Sequence, residues 1–452
     1  MFDTRSLFRE NDSFPPDEYS YRDPLLSLWQ SAANFVVTNS PASLLARFDA
    51  QPQRLADKLM SPVHAVRRQA GRMSVSAQHL FTEAADFTSL AGNCAKLAGE
   101  FLWAEVTHNK ARADLLAGEI KKSVCDGPGW AECLEQYLLY KAKLGPNLYR
   151  AGKDIVRPLP DHIRIGIIGD WGTGERPAVQ LLEAVKGTGI EMLIHLGDIY
   201  YAGTDTEVKH NFLQICRDVL GPEFPLYSLC GNHDMYSGGA AYYSLLDTIG
   251  QEASYFCLRN SSWQLLAMDT GNRDQNPLTV STNMTSLNES EITWHVQKFQ
   301  TAENRKTVLL SHHQLFSPFS AVGQADVNQK LAYNPNLYSV FRGFLPQVEW
   351  WFWGHEHTLA VYDPYMGLKR GRCVGASAIP VFLQQQTYVT DTSLIAQQAG
   401  IFPAWNPHAQ LGNNGTDYNH AFAVLELNGT QAMANYYEVD LNTGNSQLLT
   451  GE

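Results

Sequence analysis

Apolar residues follow two different periods along the chain, and the change falls near residue 150. In residues 1–150, apolar side chains such as Leu97, Phe101 and Leu102 recur at helical spacing, and β-branched runs are few. Apolar residues three and four positions apart share one face of a helix. The pattern therefore predicts an all-helical N-terminal domain, followed by a Gly- and Pro-containing linker, "AKLGPNLYRAGKDIVRPLPDH".

Between about residue 160 and residue 452, short apolar strands alternate with helical stretches. The strands "IRIGIIG", "EMLIHLG" and "PLYSLCG" are separated by the helix "RPAVQLLEAVKG" and by a helix over 206–219, and a further helix is predicted over 240–249. This alternation is typical of a mainly parallel sheet with helices outside it. Two closely spaced runs, "SYFCLRN" and "WQLLAMDT", predict an antiparallel pair, and "TVLLSHH" and "VEWWFWG" predict further core strands.

The C-terminal stretch "HAFAVLELNGTQAMANYYEVD" alternates around an Asn-Gly pair, which predicts a β-hairpin. The predicted fold class is therefore α/β, with stacked sheets flanked by helices over 160–452, preceded by the helical domain over 1–150.

The charge, the apolar runs and the cysteines of the chain indicate which kinds of partner and which cellular compartment to expect. A net charge of −12 disfavours a general binder of nucleic acid or of an anionic membrane. No apolar run reaches the roughly 18 residues of a membrane span, and "MFDTRSLFREND" lacks the pattern of a signal peptide. Seven irregularly spaced cysteines are typical of a reduced interior, so a cytoplasmic location is expected. Free thiols are favoured over a bridge between Cys125 and Cys133.

Five polar clusters stand where predicted strands end. They are "GD" at Asp170, "GDIYY" from Asp198, "GNHD" from Asn232, "SHH" at His312 and "GHEH" at His355. Ligand sites form at the carboxyl ends of parallel strands, so these clusters are expected at one edge of the sheet. The glycines before four of the five clusters are expected to let the backbone turn sharply and expose the side chains.

The clusters offer four oxygen and three nitrogen ligands, from Asp170, Asp198, Tyr201, Asn232, His312, His355 and His357. Seven ligands are too many for one ion with an open position, but they suit two ions that share a bridging carboxylate. Two such ions would turn a shared water into a hydroxide nucleophile and would neutralise the charge on a transferring phosphoryl group. The chemistry favoured by the residues is therefore phosphate-ester hydrolysis.

The ordered pattern "GD…GDxxY…GNHD…H…GHxH" resembles that of the calcineurin-like metallophosphoesterases over roughly 160–440. The resemblance implies that Asp170, Tyr201 and His357 hold one metal. It implies that Asn232, His312 and His355 hold the other, and that Asp198 bridges the two. It also implies that His233 faces the substrate phosphate and acts on the leaving group, with Asp234 orienting it.

One substitution points to a branch of that family. Most members carry a histidine two places after the first aspartate, where this chain has Gly172, and Tyr201 can take the place of that ligand. Loss of the histidine together with gain of the tyrosine resembles the purple acid phosphatases, which implies Fe³⁺ paired with Fe²⁺, Zn²⁺ or Mn²⁺. Two features depart from that branch: only the adjacent His313 follows His312, and the usual secretion signal is absent.

The function predicted on these grounds is dinuclear metal-dependent hydrolysis of phosphate monoesters, with a small phosphorylated substrate. A phosphodiesterase or nucleotide pyrophosphatase using the same metals is the alternative. A third hypothesis is a non-catalytic binding protein that acts through the helical domain. Independently of the function, the helical domain is expected to bind a protein partner or to mediate oligomerisation. Among the other polar residues, His195 is predicted to be structural, and Tyr200 is assigned to packing because the family spacing selects Tyr201.

Overall fold

The computed structural model describes residues 148–152, 156–200, 203–275, 283–326, 329–381, 383, 387–415 and 417–452. The helical domain predicted over 1–150, together with Cys125 and Cys133, therefore falls almost entirely outside the described residues. The larger of two compact units comprises Asn147–Met235, Gly239–Gln275 and Ser281–Glu452, and all the features below lie in it.

Two β-sheets form the centre of this unit. The six-stranded sheet has the order β15-β14-β13-β2-β3-β4, and β2, β3 and β4 are parallel to one another. Its strands are β2 (His162–Ile168), β3 (Met192–His195), β4 (Leu226–Ser228), β13 (His420–Asn428), β14 (Gln431–Val439) and β15 (Ser446–Gly451). The parallel strands are the first three that the sequence predicts, and the antiparallel ones come from the C-terminal hairpin region.

The second sheet has seven strands in the order β1-β5-β6-β7-β10-β12-β11. Its strands are β1 (Val156–Pro158), β5 (Phe256–Arg259), β6 (Trp263–Ala267), β7 (Lys306–Leu310), β10 (Val348–Trp353), β11 (Leu359–Val361) and β12 (Gly371–Val374). The predicted antiparallel pairing of β5 with β6 is confirmed, and β6, β7, β10 and β12 run parallel. A separate two-stranded ribbon joins β8 (Gly323–Asp326) and β9 (Gln329–Leu331).

Six α-helical segments of the described residues accompany the sheets. They are α1 (Arg176–Gly187), α2 (Asp205–Glu207), α3 (Gln214–Leu220), α4 (Ala240–Ile249), α5 (Glu289–Gln300) and α6 (Pro335–Phe341). The helix predicted over 206–219 is interrupted, because a π-helical turn over Val208–Leu213 joins α2 to α3. Short 3₁₀ turns cover His233–Met235, Gly271–Arg273, Leu345–Gln347 and Pro407–Ala409.

Three apolar clusters show that the two sheets are stacked between layers of helices. The central cluster contains Ile165 and Ile167 of the six-stranded sheet together with Leu265 and Val308 of the seven-stranded sheet. A second cluster packs α1, α3 and α4 against the outer face of the six-stranded sheet, and a third packs α5 and α6 against the other sheet. The predicted stacked α/β architecture is confirmed for this unit.

Local sequence explains where helix α1 begins and which of its faces is buried. Proline in its first turn fits a position whose N–H has no helical partner. Leu181, Leu182 and Val185 share one face and are fully buried, and each contributes roughly 1.5–3 kcal/mol through burial. The predicted bounds agree with those of the structure.

The C-terminal hairpin is confirmed, but its turn lies one residue later than the Asn-Gly pair suggests. Asn428 pairs with Gln431 as the last residue of β13, so the two-residue loop is Gly429-Thr430. Gly429 has φ +60°, a conformation that glycine adopts without steric cost.

None of the helices within the described ranges is long and apolar enough to cross a bilayer. Cys216, Cys230, Cys257 and Cys373 are buried free thiols.

Candidate metal centre

Five strand ends deliver the predicted ligands to one place. Asp170, Asp198 and Asn232 follow β2, β3 and β4, which are adjacent and parallel in the six-stranded sheet. His312 and His355 follow β7 and β10, which are adjacent and parallel in the seven-stranded sheet. Since the sheets are stacked, the site lies where the carboxyl ends of both sets of strands meet.

The first donor group consists of Asp170, Tyr200 and His357. The Tyr200 hydroxyl donates to Asp170 Oδ1 at 3.0 Å and lies 3.3 Å from His357 Nε2. His357 Nε2 is 3.4 Å from Asp170 Oδ1. The three donor atoms therefore form a compact triangle.

The second donor group consists of Asn232, His312 and His355. Asn232 Oδ1 lies 3.0 Å from His312 Nε2 and 2.9 Å from His355 Nδ1. The two imidazole nitrogens are 3.2 Å apart. His312 Nδ1 lies 3.0 Å from the carbonyl oxygen of Leu196, and donation to that carbonyl leaves Nε2 as the ligand atom.

Asp198 lies close to both donor groups. Its Oδ2 is 3.4 Å from His312 Nε2, and the donor atoms of Asp170, Asp198 and His312 lie within 4.8 Å of one another. Asp198 and Asp170 are almost completely buried. A buried carboxylate between two sets of donors fits the predicted bridging position.

Backbone strain is concentrated at these residues. Among the described residues, only five other than glycine have positive φ, and three of them are Asp170 (57°), Asp198 (73°) and His355 (64°). Left-handed conformations cost non-glycine residues roughly 1–3 kcal/mol each and persist only where the surrounding fold imposes them. The strands therefore end in strained turns that direct ligand side chains into the site.

Two of the preceding glycines provide space for the carboxylates. A Cβ atom on Gly354 would lie 2.6 Å from Asp170 Oδ2, and one on Gly231 would collide with Asp198 Oδ1. From the sequence, these glycines were expected to supply the sharp turn. At Asp170 and His355, however, the ligand itself adopts the left-handed conformation, and its glycine does not.

The charges within the site are strongly coupled. Burial opposes ionisation of Asp198, but the neighbouring His312 outweighs it and holds the pKa of Asp198 well below its usual range. For His312, burial lowers the pKa, but the charge of Asp198 outweighs burial and raises the pKa to about 9. Burial keeps the pKa of His355 well below the ordinary value. The site therefore favours ionised Asp198 and a neutral His355, the forms in which these side chains bind metal, whereas His312 would have to release a proton when an ion binds.

The "GNHD" loop is held against the Asp198 loop. The backbone N–H of His233 donates to Asp198 Oδ1 at 3.0 Å, and His233 Nε2 lies 4.0 Å from Asp198 Oδ2. Asp234 accepts hydrogen bonds from the backbone N–H groups of Gly231, Asp198 and Ile199 at 2.7, 3.1 and 3.1 Å. Asp234 thus fixes the backbone of both loops, and its predicted orientation of the His233 ring stays a prediction.

Tyr201 lies outside the described residues, so its predicted role as a ligand stays a prediction. Tyr200, assigned to packing from the sequence, is buried with 1% of its surface exposed, but its hydroxyl also joins the first donor group. His195 is confirmed as structural. It is fully buried, its Nδ1 lies 3.1 Å from Ser228 Oγ, and burial lowers its pKa to about 3.

His313 has two polar partners that were not predicted from the sequence. Its Nδ1 lies 2.9 Å from Thr270 Oγ1 and its Nε2 lies 3.0 Å from Asp274 Oδ2. Its ring is 4.3 Å from the ring of His355, centroid to centroid. Thr270 and Asp274 belong to "MDTGNRD", which directly follows strand β6, so the rule that polar residues after buried strands form the site would have indicated them.

Glu356 was also missed, although it stands between two predicted ligands. Its buried carboxylate accepts hydrogen bonds from Ser317 Oγ at 2.5 Å and Ser320 Oγ at 2.6 Å. These serines follow His312 in the chain, so Glu356 connects the "GHEH" loop to the loop after β7. Burial raises the pKa of this carboxyl group.

The donor set fits a pair of metal ions. Each group combines oxygen with imidazole nitrogen, the mixture that suits zinc, iron and manganese. Ligands about 2.1 Å from one ion at angles of 90–109° lie about 3.0–3.4 Å apart. The six distances within the two groups, from 2.9 to 3.4 Å, agree with this expectation.

Comparisons with known proteins agree with the predicted type of domain. Residues 163–359 match the family described as calcineurin-like phosphoesterase. No curated protein sequence matches the chain.

Similar solved structures include a dimetal phosphatase from Danio rerio, with 13% identity, a TM-score of 0.40, and coverage of 64% of this chain and 98% of that one. GAP50, the anchor in the inner membrane complex of Plasmodium, has 14% identity, a TM-score of 0.40, and coverage of 64% and 89%. A putative 5'-nucleotidase from Staphylococcus aureus has 11% identity, a TM-score of 0.34, and coverage of 48% and 49%.

Proposed function

We propose that the calcineurin-like phosphoesterase domain of this chain hydrolyses phosphate monoesters with a pair of metal ions. The observation that carries the proposal is the pair of compact donor groups with Asp198 beside them. When bound, two such ions activate water and neutralise the charge that develops on a phosphoryl group. The purple acid phosphatase pattern supports Fe³⁺ paired with Fe²⁺, Zn²⁺ or Mn²⁺.

The side chains of this domain divide the remaining work. Asp170, Asn232, His312, His355 and His357 hold the ions, with Asp198 between them. Burial of Asp170, Asp198, Asn232 and His312 keeps bulk water from these four side chains, which strengthens the charge interactions among them. The strained backbone at three ligands fixes their positions before substrate binds.

His233 is the residue that would complete the reaction. Its backbone N–H is held by Asp198, and its ring Nε2 lies at 4.0 Å from the Asp198 carboxylate, beside the donors. In the proposed reaction His233 carries a proton at Nε2 and gives it to the oxygen of the departing alcohol. Proton donation to a leaving group is worth roughly 10²–10⁴-fold in rate.

The test is the turnover of an aryl phosphate monoester and of the matching aryl diester by the purified protein, with metal content measured by elemental analysis. We expect the monoester to be the better substrate. We also expect Asp198→Asn to abolish turnover and to lower the metal content. Preference for the diester would favour the phosphodiesterase alternative. Full activity and full metal content in Asp198→Asn would contradict the proposed mechanism.

His233→Asn tests the role of His233 separately. We expect turnover of an alkyl monoester to fall by about 10²–10⁴-fold, because an alkoxide needs a proton to leave. Turnover of an aryl monoester with an acidic phenol should fall much less. An equal loss on both substrates would show that His233 positions the substrate instead of protonating the leaving group.

A further inference from the structure

The two imidazole ligands of the second donor group are held in different ways. His312 Nδ1 lies 3.0 Å from the carbonyl oxygen of Leu196, so a hydrogen bond fixes its ring on the side away from the other ligands. His355 meets the donor group through Nδ1, and no other residue that the structure describes forms a hydrogen bond with its Nε2. The orientation of the His355 ring therefore has to come from packing.

The ring of His313 supplies this packing. The centroids of the His313 and His355 rings are 4.3 Å apart, and their planes are inclined at 37°. The His312 ring instead meets the His355 ring edge-on, at 5.1 Å and 72°. Rings as close as those of His313 and His355 touch over part of their faces, so His313 limits how far the His355 ring can rotate.

Hydrogen bonds to two buried residues fix His313 in turn. Its backbone N–H donates to Thr270 Oγ1 at 3.0 Å, and its Nδ1 lies 2.9 Å from the same oxygen. Its Nε2 lies 3.0 Å from Asp274 Oδ2. Thr270 is fully buried, and Asp274 and His313 are 1% and 5% exposed. Both ring nitrogens are therefore engaged, and the ring cannot turn without leaving a buried polar group unpaired.

The loop that carries Thr270 and Asp274 is itself tightly packed. A 3₁₀ turn over Gly271–Arg273 connects the two residues, and the N–H of Asp274 donates to the carbonyl of Gly271 at 2.9 Å. A Cβ atom on Gly271 would collide with the carbonyl oxygen of Gly231. The turn therefore lies directly against the "GNHD" loop, which supplies a ligand of the same donor group.

We propose that His313 is a positioning residue for the metal ion of the second donor group. Held by Asp274 and Thr270, it keeps the His355 ring in the orientation in which Nδ1 meets the ion. The inference rests on the proposed dinuclear function, since it concerns a ligand of that site. The competing interpretation is that His313 only stabilises the fold. The two interpretations differ in whether loss of the His313 contacts weakens one metal site selectively.

The experiment compares Asp274→Ala, His313→Ala and Asp274→Asn in the full chain. Competition with a chromophoric chelator gives the affinities of both sites for Zn²⁺. We expect each alanine variant to weaken one site by about 10–100-fold, the range seen when residues that support ligands are lost, while the other site stays within a few-fold. Asp274→Asn keeps a hydrogen-bonding partner for His313 Nε2, so both of its zinc affinities should stay within a few-fold of those of the unmodified chain.

His295→Ala is the matched control. His295 is fully buried on α5, its Nε2 lies 3.3 Å from Glu291 Oε1, and its ring packs against Phe341 of α6. It is thus a second buried pair of imidazole and carboxylate, but it belongs to neither donor group. We expect His295→Ala to lower the thermal midpoint and to leave both zinc affinities unchanged. Circular dichroism establishes that each variant is folded.

A second measurement reports the surroundings of the ion directly. The protein is loaded with Co²⁺, whose visible absorption depends on the number and arrangement of its ligands. We expect the spectrum to change in Asp274→Ala and in His313→Ala, and to match that of the unmodified chain in Asp274→Asn and His295→Ala. A loss of stability alone would not produce this pattern.

The outcomes separate this inference from the proposed function. Unchanged affinities, or equal losses at both sites, in folded Asp274→Ala overturn the positioning role, and this variant decides the matter even where His313→Ala does not fold. A selective loss of one site in His295→Ala overturns it too. In each of these cases metal-dependent ester hydrolysis by the unmodified chain still stands. An unmodified chain that binds two zinc ions and hydrolyses no phosphate ester refutes the proposed function and leaves the positioning role intact.

Discussion

Gly354→Ala is the substitution that tests the geometry of the first donor group most directly. The added methyl carbon would lie 2.6 Å from Asp170 Oδ2, and ordinary contacts begin at 3.4 Å. The carboxylate must therefore retreat by about 0.8 Å, the difference between those two distances. Gly354 does not have positive φ, so the change introduces no backbone strain of the left-handed kind.

The carboxylate has little room for that retreat. Asp170 is fully buried, its Oδ2 accepts the backbone N–H of His355 at 2.7 Å, and its Oδ1 accepts the Tyr200 hydroxyl at 3.0 Å. Metal–ligand distances tolerate about 0.2 Å. A movement several times larger should weaken the first site for Zn²⁺ by at least about 10–100-fold, the range seen when residues that support ligands are lost. Overpacking should also destabilise the fold by about 1–3 kcal/mol.

The assay is a zinc titration in competition with a chromophoric chelator, together with chemical denaturation of the metal-free protein. Gly343→Ala is the matched control, because a Cβ atom there meets no heavy atom within 4 Å. We expect the control to keep both zinc affinities and to change stability by less than about 1 kcal/mol. Two zinc ions bound with unchanged affinity by folded Gly354→Ala would refute the placement of Asp170 at the metal.

Three further predictions follow from the same contacts. Glu356→Ala should weaken zinc binding by about 10-fold or more, because Ser317 and Ser320 lose the acceptor that connects two ligand loops. Glu356→Gln keeps an acceptor oxygen, so its zinc affinity in the same titration should stay within a few-fold of that of the unmodified chain. Burial and the nearby Asp269 raise the pKa of Glu291 well above 4.5. The stability that this carboxyl group contributes is therefore fully present below about pH 4.5 and declines as the pH rises towards the pKa of the folded state. Denaturation of Glu291→Gln between pH 4.5 and 7 should accordingly show a weaker fall with pH than the unmodified chain, and equal slopes would contradict this. Removal of bound metal by a chelator should lower the thermal midpoint, and added Zn²⁺ should restore it; an unchanged midpoint would mean that the ions do not bind the folded state preferentially.

The convergence of the ligands could be predicted because it depends on the order of strands and not on side-chain detail. Each polar cluster follows a buried strand directly, and parallel neighbours bring their carboxyl ends to one edge. Asp170, Asp198 and Asn232 meet for this reason, and His312 and His355 meet in the same way in the second sheet. The pattern also gave the bounds of α1, where apolar periodicity and Pro177 agree.

The direction of the Tyr200 side chain could not be predicted in this way. It depends on the backbone after β3, where Asp198 takes φ 73° and Gly197 takes φ 110°. Two consecutive left-handed residues break the alternation of side chains along a strand, so sequence spacing loses its meaning there. The contacts of His313 with Thr270 and Asp274 were missed for a different reason: no role was assigned to the polar residues of "MDTGNRD", although they directly follow the buried strand β6.

Both donor groups draw their ligands from both sheets, and this connects metal binding to the fold. In the first group Asp170 follows β2 of the six-stranded sheet, while His357 follows β10 of the other sheet. In the second, Asn232 comes from the six-stranded sheet and meets His312 and His355 from the seven-stranded sheet. Each ion would therefore cross-link the two sheets at the end where strained turns hold the ligands. Because neither group is complete on one sheet alone, separated sheets would bind the ions weakly. An ion present at 1,000 times its dissociation constant would then stabilise the folded state by about 4 kcal/mol.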